Sequence, residues 1–254
     1  MNPPDFIIGV EQQPEENFGL WKSLGVNTLS GIAQGRDPAA WVKAANAAGL
    51  YQIRPPVGDP SVDAGNPLLL AWSFPDEPDL KKIPVADLKA MKAASAAADT
   101  VRKVPWRLNL SGGYVLNLVA GGPTDAQYRD YLEQADWVSH DLFPVAGWDN
   151  AIGLFTPTAC IDKLRRLDPW NKPHLMYVEC ARQGLANLRN GGRSTTVAEM
   201  QLLIHQARTA QCRGIIYFPL QVESGFQWDA TTPEIKMEII RQNHLLIEGA
   251  SHGQ

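Results

Sequence analysis

Two glutamates are set apart by their neighbours. Glu77 lies in Trp72-Ser73-Phe74-Pro75-Asp76-Glu77-Pro78-Asp79, just beyond an apolar run, and Glu179 ends Leu175-Met176-Tyr177-Val178-Glu179. A charge at the end of a strand-like run sits where burial is expensive. Alone, Asp76-Glu77-Pro78 reads equally as an ordinary turn, and Glu179 as a strand cap in solvent. Together, two carboxylates flanking one bond suit glycoside hydrolysis. One, protonated near neutral pH, gives its proton to the leaving oxygen; the other, ionised, attacks the anomeric carbon or activates water. Different environments can set the two pKa values apart.

The elements that must position this pair alternate strictly. Strand-length apolar runs fall at Phe6–Val10, Val26–Ser30, Leu50–Arg54, Leu68–Ser73, Pro105–Leu110, Trp137–Leu142, Leu175–Glu179 and Gly214–Phe218. Amphipathic stretches separate them, which predicts parallel β/α units. Asp37-Pro38 opens a helix that Gly49 stops. Val85, Leu88, Met91, Ala98 and Val101 mark one face of an alanine-rich helix. Thr156-Pro157 and Thr232-Pro233 open two more, and Thr196 with Glu199 forms a capping box. Pro55 to Pro67 shows no helical pattern, so the third helix is read as reduced. The 254 residues match the ~250 typical of one (β/α)₈ barrel. The prediction is therefore a single-domain (β/α)₈ TIM barrel over residues 1–254, with no internal boundary. A Rossmann-like sheet would need a glycine-rich turn after the first strand. This chain has Gly9-Val10-Glu11-Gln12-Gln13 there instead.

In such barrels the active site gathers at the C-terminal ends of the strands. That rule puts Glu77 after strand four and Glu179 at the end of strand seven. It also nominates Asp76, Glu11 at the end of strand one, and His140 and Asp141 at the end of strand six as groups that could bind sugar hydroxyls. Arg54, ending strand three, and Arg182, just past Glu179, are candidates to hold Glu179 as an anion. Trp72, Trp148, Phe218 and Trp228 are candidate stacking platforms for sugar rings, and core packing is the alternative for each tryptophan.

These motifs resemble clan A of the retaining glycoside hydrolases, whose strand four ends with an aromatic-containing run and then Asn-Glu-Pro. The resemblance implies that Glu77 is the acid/base and Glu179 the nucleophile. Gly214-Ile215-Ile216-Tyr217-Phe218 and Phe226-Gln227-Trp228-Asp229 are similar to the clan's eighth strand and aromatic floor. Two positions depart from the pattern. Asp76 stands where the clan has an asparagine that binds the 2-hydroxyl; an aspartate accepts that hydrogen bond but cannot donate one. Strand six ends His140-Asp141-Leu142-Phe143, where many members offer a tyrosine to the nucleophile. The implied mechanism is double displacement on β-glycosidic bonds of an oligo- or polysaccharide. It requires the carboxyls about 5–5.5 Å apart. The short loops favour an open groove and endo action, with an exo-acting enzyme as the alternative.

Composition bounds the remainder. Hydrophobic residues make up 44% of the chain and charged residues 20%, enough for a sizeable core. A net charge of −4 gives no electrostatic reason to expect nucleic acid. No apolar run reaches the ~18 residues of a membrane span. The start lacks a signal-peptide pattern, which reads as cytoplasmic for a full-length chain and as secreted for one with a trimmed leader. Cys160, Cys180 and Cys212 fit no zinc spacing, and the five histidines are scattered, so neither metal nor cofactor is expected. The cysteines read as buried thiols, with a Cys160–Cys180 bridge as the alternative. Two other functions remain open. A non-catalytic sugar-binding barrel would keep the cleft and lose the chemistry. A Schiff-base lyase or aldolase would need a lysine at a strand end, and none of the strand ends has one.

Overall fold

The strands form where β-branched and apolar residues recur, and in a barrel their two faces meet different surroundings. In the computed structural model they run Ile7–Glu11 (β1), Thr28–Ser30 (β2), Tyr51–Arg54 (β3), Leu69–Ser73 (β4), Trp106–Ser111 (β5), Trp137–Asp141 (β6), His174–Glu179 (β7) and Gly214–Phe218 (β8). The structure describes residues 3–58, 63, 65–98, 103–147, 151–183, 192–223 and 225–251. Each strand pairs in parallel with its sequence neighbour, and β8 pairs with β1 to close the barrel. This is the predicted (β/α)₈ barrel.

Around it lie Phe18–Ser23 (α1), Pro38–Ala48 (α2), Val85–Ala98 (α3), Gly112–Val115 (α4), Asp125–Gln134 (α5), Thr156–Leu167 (α6), Val197–Thr209 (α7) and Pro233–Ser251 (α8). Their ends follow local chemistry. The Asp37 carboxylate accepts from the Ala40 N–H, and Gly49 closes α2 with φ 67°. Thr196 and Glu199 form the predicted capping box on α7. Part of the β3–β4 connection, where the third helix is read as reduced, lies outside the described residues, as does Val101 beyond α3. All three cysteines are free and buried.

Side chains alternate between lumen and helix layer. Ile7, Ile53, Ala71, Leu175, Tyr177 and Ile216 pack together in the lumen. Ile8, Val10, Met176, Val178, Ile215 and Tyr217 pack outward under the helices. The seam between β1 and β8 is close-packed at Gly214. A Cβ at Gly214 would lie well inside contact distance of the Ile7 backbone oxygen. Backbone cannot yield as a flexible side chain can, so Gly214→Ala is expected to destabilise the fold by about 1–3 kcal/mol. Chemical denaturation would register this as a lower midpoint; an unchanged midpoint would show that the seam has slack.

Candidate active site

Strand β5 supplies the polar lining. Its residues Trp106-Arg107-Leu108-Asn109-Leu110-Ser111 alternate, and Trp106, Leu108 and Leu110 pack outward. Arg107, Asn109 and Ser111 therefore turn inward. Arg107 is buried and donates through Nη1 to Ser30 Oγ at 2.9 Å and to the Tyr177 hydroxyl at 3.2 Å. Tyr177 in turn donates to Glu11 Oε2 at 2.8 Å, and Ser30 donates to the same oxygen at 2.6 Å. A buried cation thus lies under the mouth, linked through two hydroxyls to Glu11.

Above this layer opens a cavity of about 500 Å³. Glu11, Asp76, Glu77, Asp141, Phe218 and the unforeseen Ser111, Phe143, Tyr177 and Gln183 line it. Leu80, Val119 and Val222 form an exposed apolar rim. The Phe143 and Phe218 rings lie 4.5 Å apart between centroids. Together they give the wall an apolar surface.

Glu77 hangs between two anchors. On one side Phe74 is buried and stacks on Trp106 at 4.4 Å. On the other, the buried Asp79 carboxylate accepts from the Ser111 N–H at 3.0 and 3.1 Å and from the Tyr128 hydroxyl at 3.1 Å. Between them the backbone of Glu77 takes φ 44°, a left-handed conformation that non-glycine residues seldom adopt. Such strain persists only where the surroundings impose it, and it clusters at working sites.

The carboxyls crowd one another. Asp76, Glu77 and Asp141 each place an oxygen within 4.8 Å of the others. Burial first, then the Asp76 and Asp79 carboxylates, push the Glu77 pKa up to about 7; a Ser111 hydrogen bond and Lys81 pull it down. Asp141 is raised by burial and then by Asp76 and Glu77. Glu11 is raised by burial, against Arg107, Ser30 and Tyr177. Asp76 is itself held in place: Asn109 Nδ2 donates to its Oδ1 at 2.8 Å, and Lys81 Nζ donates to its backbone oxygen at 2.6 Å. As hard oxygen donors the three clustered carboxyls could also hold a divalent cation, though calcium takes 6–8 ligands.

Several sequence expectations are corrected here. Glu179 is 1% exposed and does not line the cavity; its two oxygens accept the backbone N–H groups of Val145 and Ala146 at 2.8 and 2.6 Å. It shares the inward parity of Tyr177, but the loop after β6 folds over it. Burial raises its pKa to about 7. Arg54 does not reach Glu179. Alternation with the lumen-facing Ile53 turns it outward, where it pairs with buried Asp63 and lies 5.5 Å from the Trp72 ring. His140 alternates with inward Ser139 and Asp141, so it is buried behind the barrel, with its pKa lowered to about 3 by burial and then His174. Trp72 is buried in the helix-side core beside Trp106. Trp228 is half-buried against Phe226 at 4.5 Å, outside the cavity lining. Arg182 is half-buried and likewise outside the lining. Trp148 lies outside the described residues.

Solved structures of carbohydrate-active enzymes share this fold. A glucosidase from Croceicoccus marinus superimposes with a TM-score of 0.62 at 13% identity, over 94% of this chain and 67% of that one. A β-glucuronidase from Ruminococcus gnavus gives 0.62 at 12% identity, over 95% of this chain and 51% of that one. This chain thus spans about half the length of the glucuronidase. A glycoside hydrolase family 17 β-1,3-glucanosyltransferase from Rhizomucor miehei gives 0.57 at 10% identity, over 83% and 85% of the two chains. No protein-family model and no curated protein matches the chain.

Proposed function

We propose that the protein is a retaining glycoside hydrolase acting on β-glycosidic bonds, with Glu77 as acid/base and Asp141, not Glu179, as nucleophile. The observation that carries this reading is the approach of Glu77 and Asp141 oxygens within 4.8 Å at the mouth of a barrel cavity. That approach is nearer the about 5–5.5 Å carboxyl separation of retaining enzymes than the about 6.5–9.5 Å of inverting ones. The carbohydrate-active neighbours share the scaffold and support the substrate class.

Glu77 raises the pKa of Asp141, and two like charges this close are disfavoured, so the working pair is one acid and one anion. Glu77 gives its proton to the glycosidic oxygen as that C–O bond breaks, and a carboxylate oxygen of Asp141 bonds to the anomeric carbon. Glu77, now ionised, takes a proton from water; the water oxygen attacks the same carbon and releases Asp141. Two inversions return the original configuration. The aromatic wall of Phe143 and Phe218 faces the C–H surface of the ring, and Glu11, held by Tyr177 and Ser30, accepts from a sugar hydroxyl.

Every step uses the chain's own side chains. Turnover of aryl β-glycosides or polysaccharides is therefore expected to survive EDTA, with proton NMR showing the β-anomer released first. First release of the α-anomer would refute retention. Saccharide binding with no release of reducing sugar would leave a binding barrel instead.

A further inference from the structure

We infer that the saccharide taken by this site carries a free amine beside the scissile bond, as a 2-amino-2-deoxy sugar does, and that Asp76, with the ionised Asp141 beside it, receives the ammonium while Glu77 keeps its proton for the leaving oxygen. The inference rests on reading the cavity as a glycoside site.

Its basis is donor and acceptor chemistry. A neutral sugar offers hydroxyls, each of which donates and accepts. The corner formed by Asp76, Glu77 and Asp141 offers carboxyls alone, and Glu11 adds a fourth to the same lining. No lysine, arginine or histidine is among the described residues that line the cavity. The Asn109 amide beneath the cluster donates to Asp76 Oδ1 and is a hydrogen-bond partner of Asp141, but it carries no charge. Lys81 touches Asp76 from outside, with half its side chain exposed, and its Nζ is 3.4 Å from Oδ2. Arg107 below and Lys81 outside offset part of this negative charge, and neutral hydroxyls would add nothing to that. An ammonium has three donors, no acceptor and a positive charge. Two acceptors about 2.8 Å from one tetrahedral nitrogen lie about 4.6 Å apart, and an Asp76 oxygen lies within 4.8 Å of an Asp141 oxygen.

A second observation points to a ligand in the cavity. Gln183 is 4% exposed and lines it, and its Nε2 has no hydrogen-bond partner; Asp141 Oδ1 is buried without one as well. A buried donor and a buried acceptor left open in one cavity are groups for a bound molecule to satisfy. The acceptor fits the amine, and the donor fits a sugar oxygen elsewhere on the ring.

The test is equilibrium binding, which does not depend on turnover. Methyl glycosides of glucosamine and galactosamine would be titrated into the intact protein at pH 7, each beside its N-acetyl and 2-hydroxy counterparts. The amine is expected to bind at least about tenfold tighter in one configuration, with the preference shrinking as salt rises. Asp76→Asn should remove most of that preference, read within the variant as the ratio of amine to neutral-sugar affinity. No preference for the amine in either configuration, or a preference that Asp76→Asn leaves intact, would overturn the inference. Preferential binding of amines without hydrolysis of any glycoside would sink the hydrolase reading alone. Cleavage of neutral glycosides without amine preference would sink this inference alone.

Discussion

Glu77→Gln is expected to lower kcat on unactivated β-glycosides by about 10²–10⁴-fold, the usual contribution of a positioned acid. Glutamine keeps the shape and cannot deliver a proton. The loss should shrink on dinitrophenyl glycosides, whose leaving group departs without protonation, because only the first step then escapes the need for an acid. The pH profile gives an independent check. With its pKa near 7, Glu77 is protonated below that value and ionised above it. The wild-type kcat/KM should therefore fall as pH rises through about 7, and the variant should lack that limb. Asp76→Asn removes the like charge that ranks after burial among the causes of the shift. The Glu77 pKa should then move down and carry the limb to lower pH. A basic limb retained in Glu77→Gln would assign the titration to another group.

The frame was far more legible than the site, for a physical reason. The strands are nearly continuous apolar runs because helices cover one face and the lumen fills the other. Such runs show in composition alone: β8 is Gly214–Phe218 both as predicted and as observed, and β4 differs by one residue. The site depends on which face a side chain takes, and a strand-end rule does not ask that. Arg54, His140 and Trp72 stand at or near strand ends but face the helices, each one position out of phase with lumen residues. Arg107, Asn109 and Ser111 escape a strand-end reading because strand five ends Asn109-Leu110-Ser111, with no carboxylate to mark it. Their signal was present in the strict alternation of Trp106-Arg107-Leu108-Asn109-Leu110-Ser111. Glu179 marks a different limit. Its parity was legible, but the fold of the loop from Leu142 to Gly147 over it was not, because that contact joins residues more than thirty positions apart.

Asp141→Asn and Glu179→Gln should therefore part company. Both exchange a carboxylate for its amide at constant shape, so the two differ only in what the oxygens do. Asparagine at 141 cannot form the covalent intermediate, and kcat is expected to fall by at least about 10³-fold with little change in stability. A 2-fluoro glycoside with a good leaving group should label the wild-type peptide that contains Asp141, readable by mass spectrometry. Glutamine at 179 presents one oxygen where two backbone N–H groups need acceptors, and turns its own NH₂ toward the other. One buried hydrogen bond is lost and a donor is left facing a donor, at a cost of about 1–3 kcal/mol. The melting temperature should drop while kcat per folded molecule stays within a few-fold. KM is free to shift, because Gly147, next to the two anchored amides, lines the cavity. The opposite pattern, a dead Glu179→Gln with a label on the Glu179 peptide and an active Asp141→Asn, would return the nucleophile to strand seven. It would also require the loop bearing Val145 and Ala146 to open before catalysis, since Glu179 reaches a substrate only by giving up both of its amide partners.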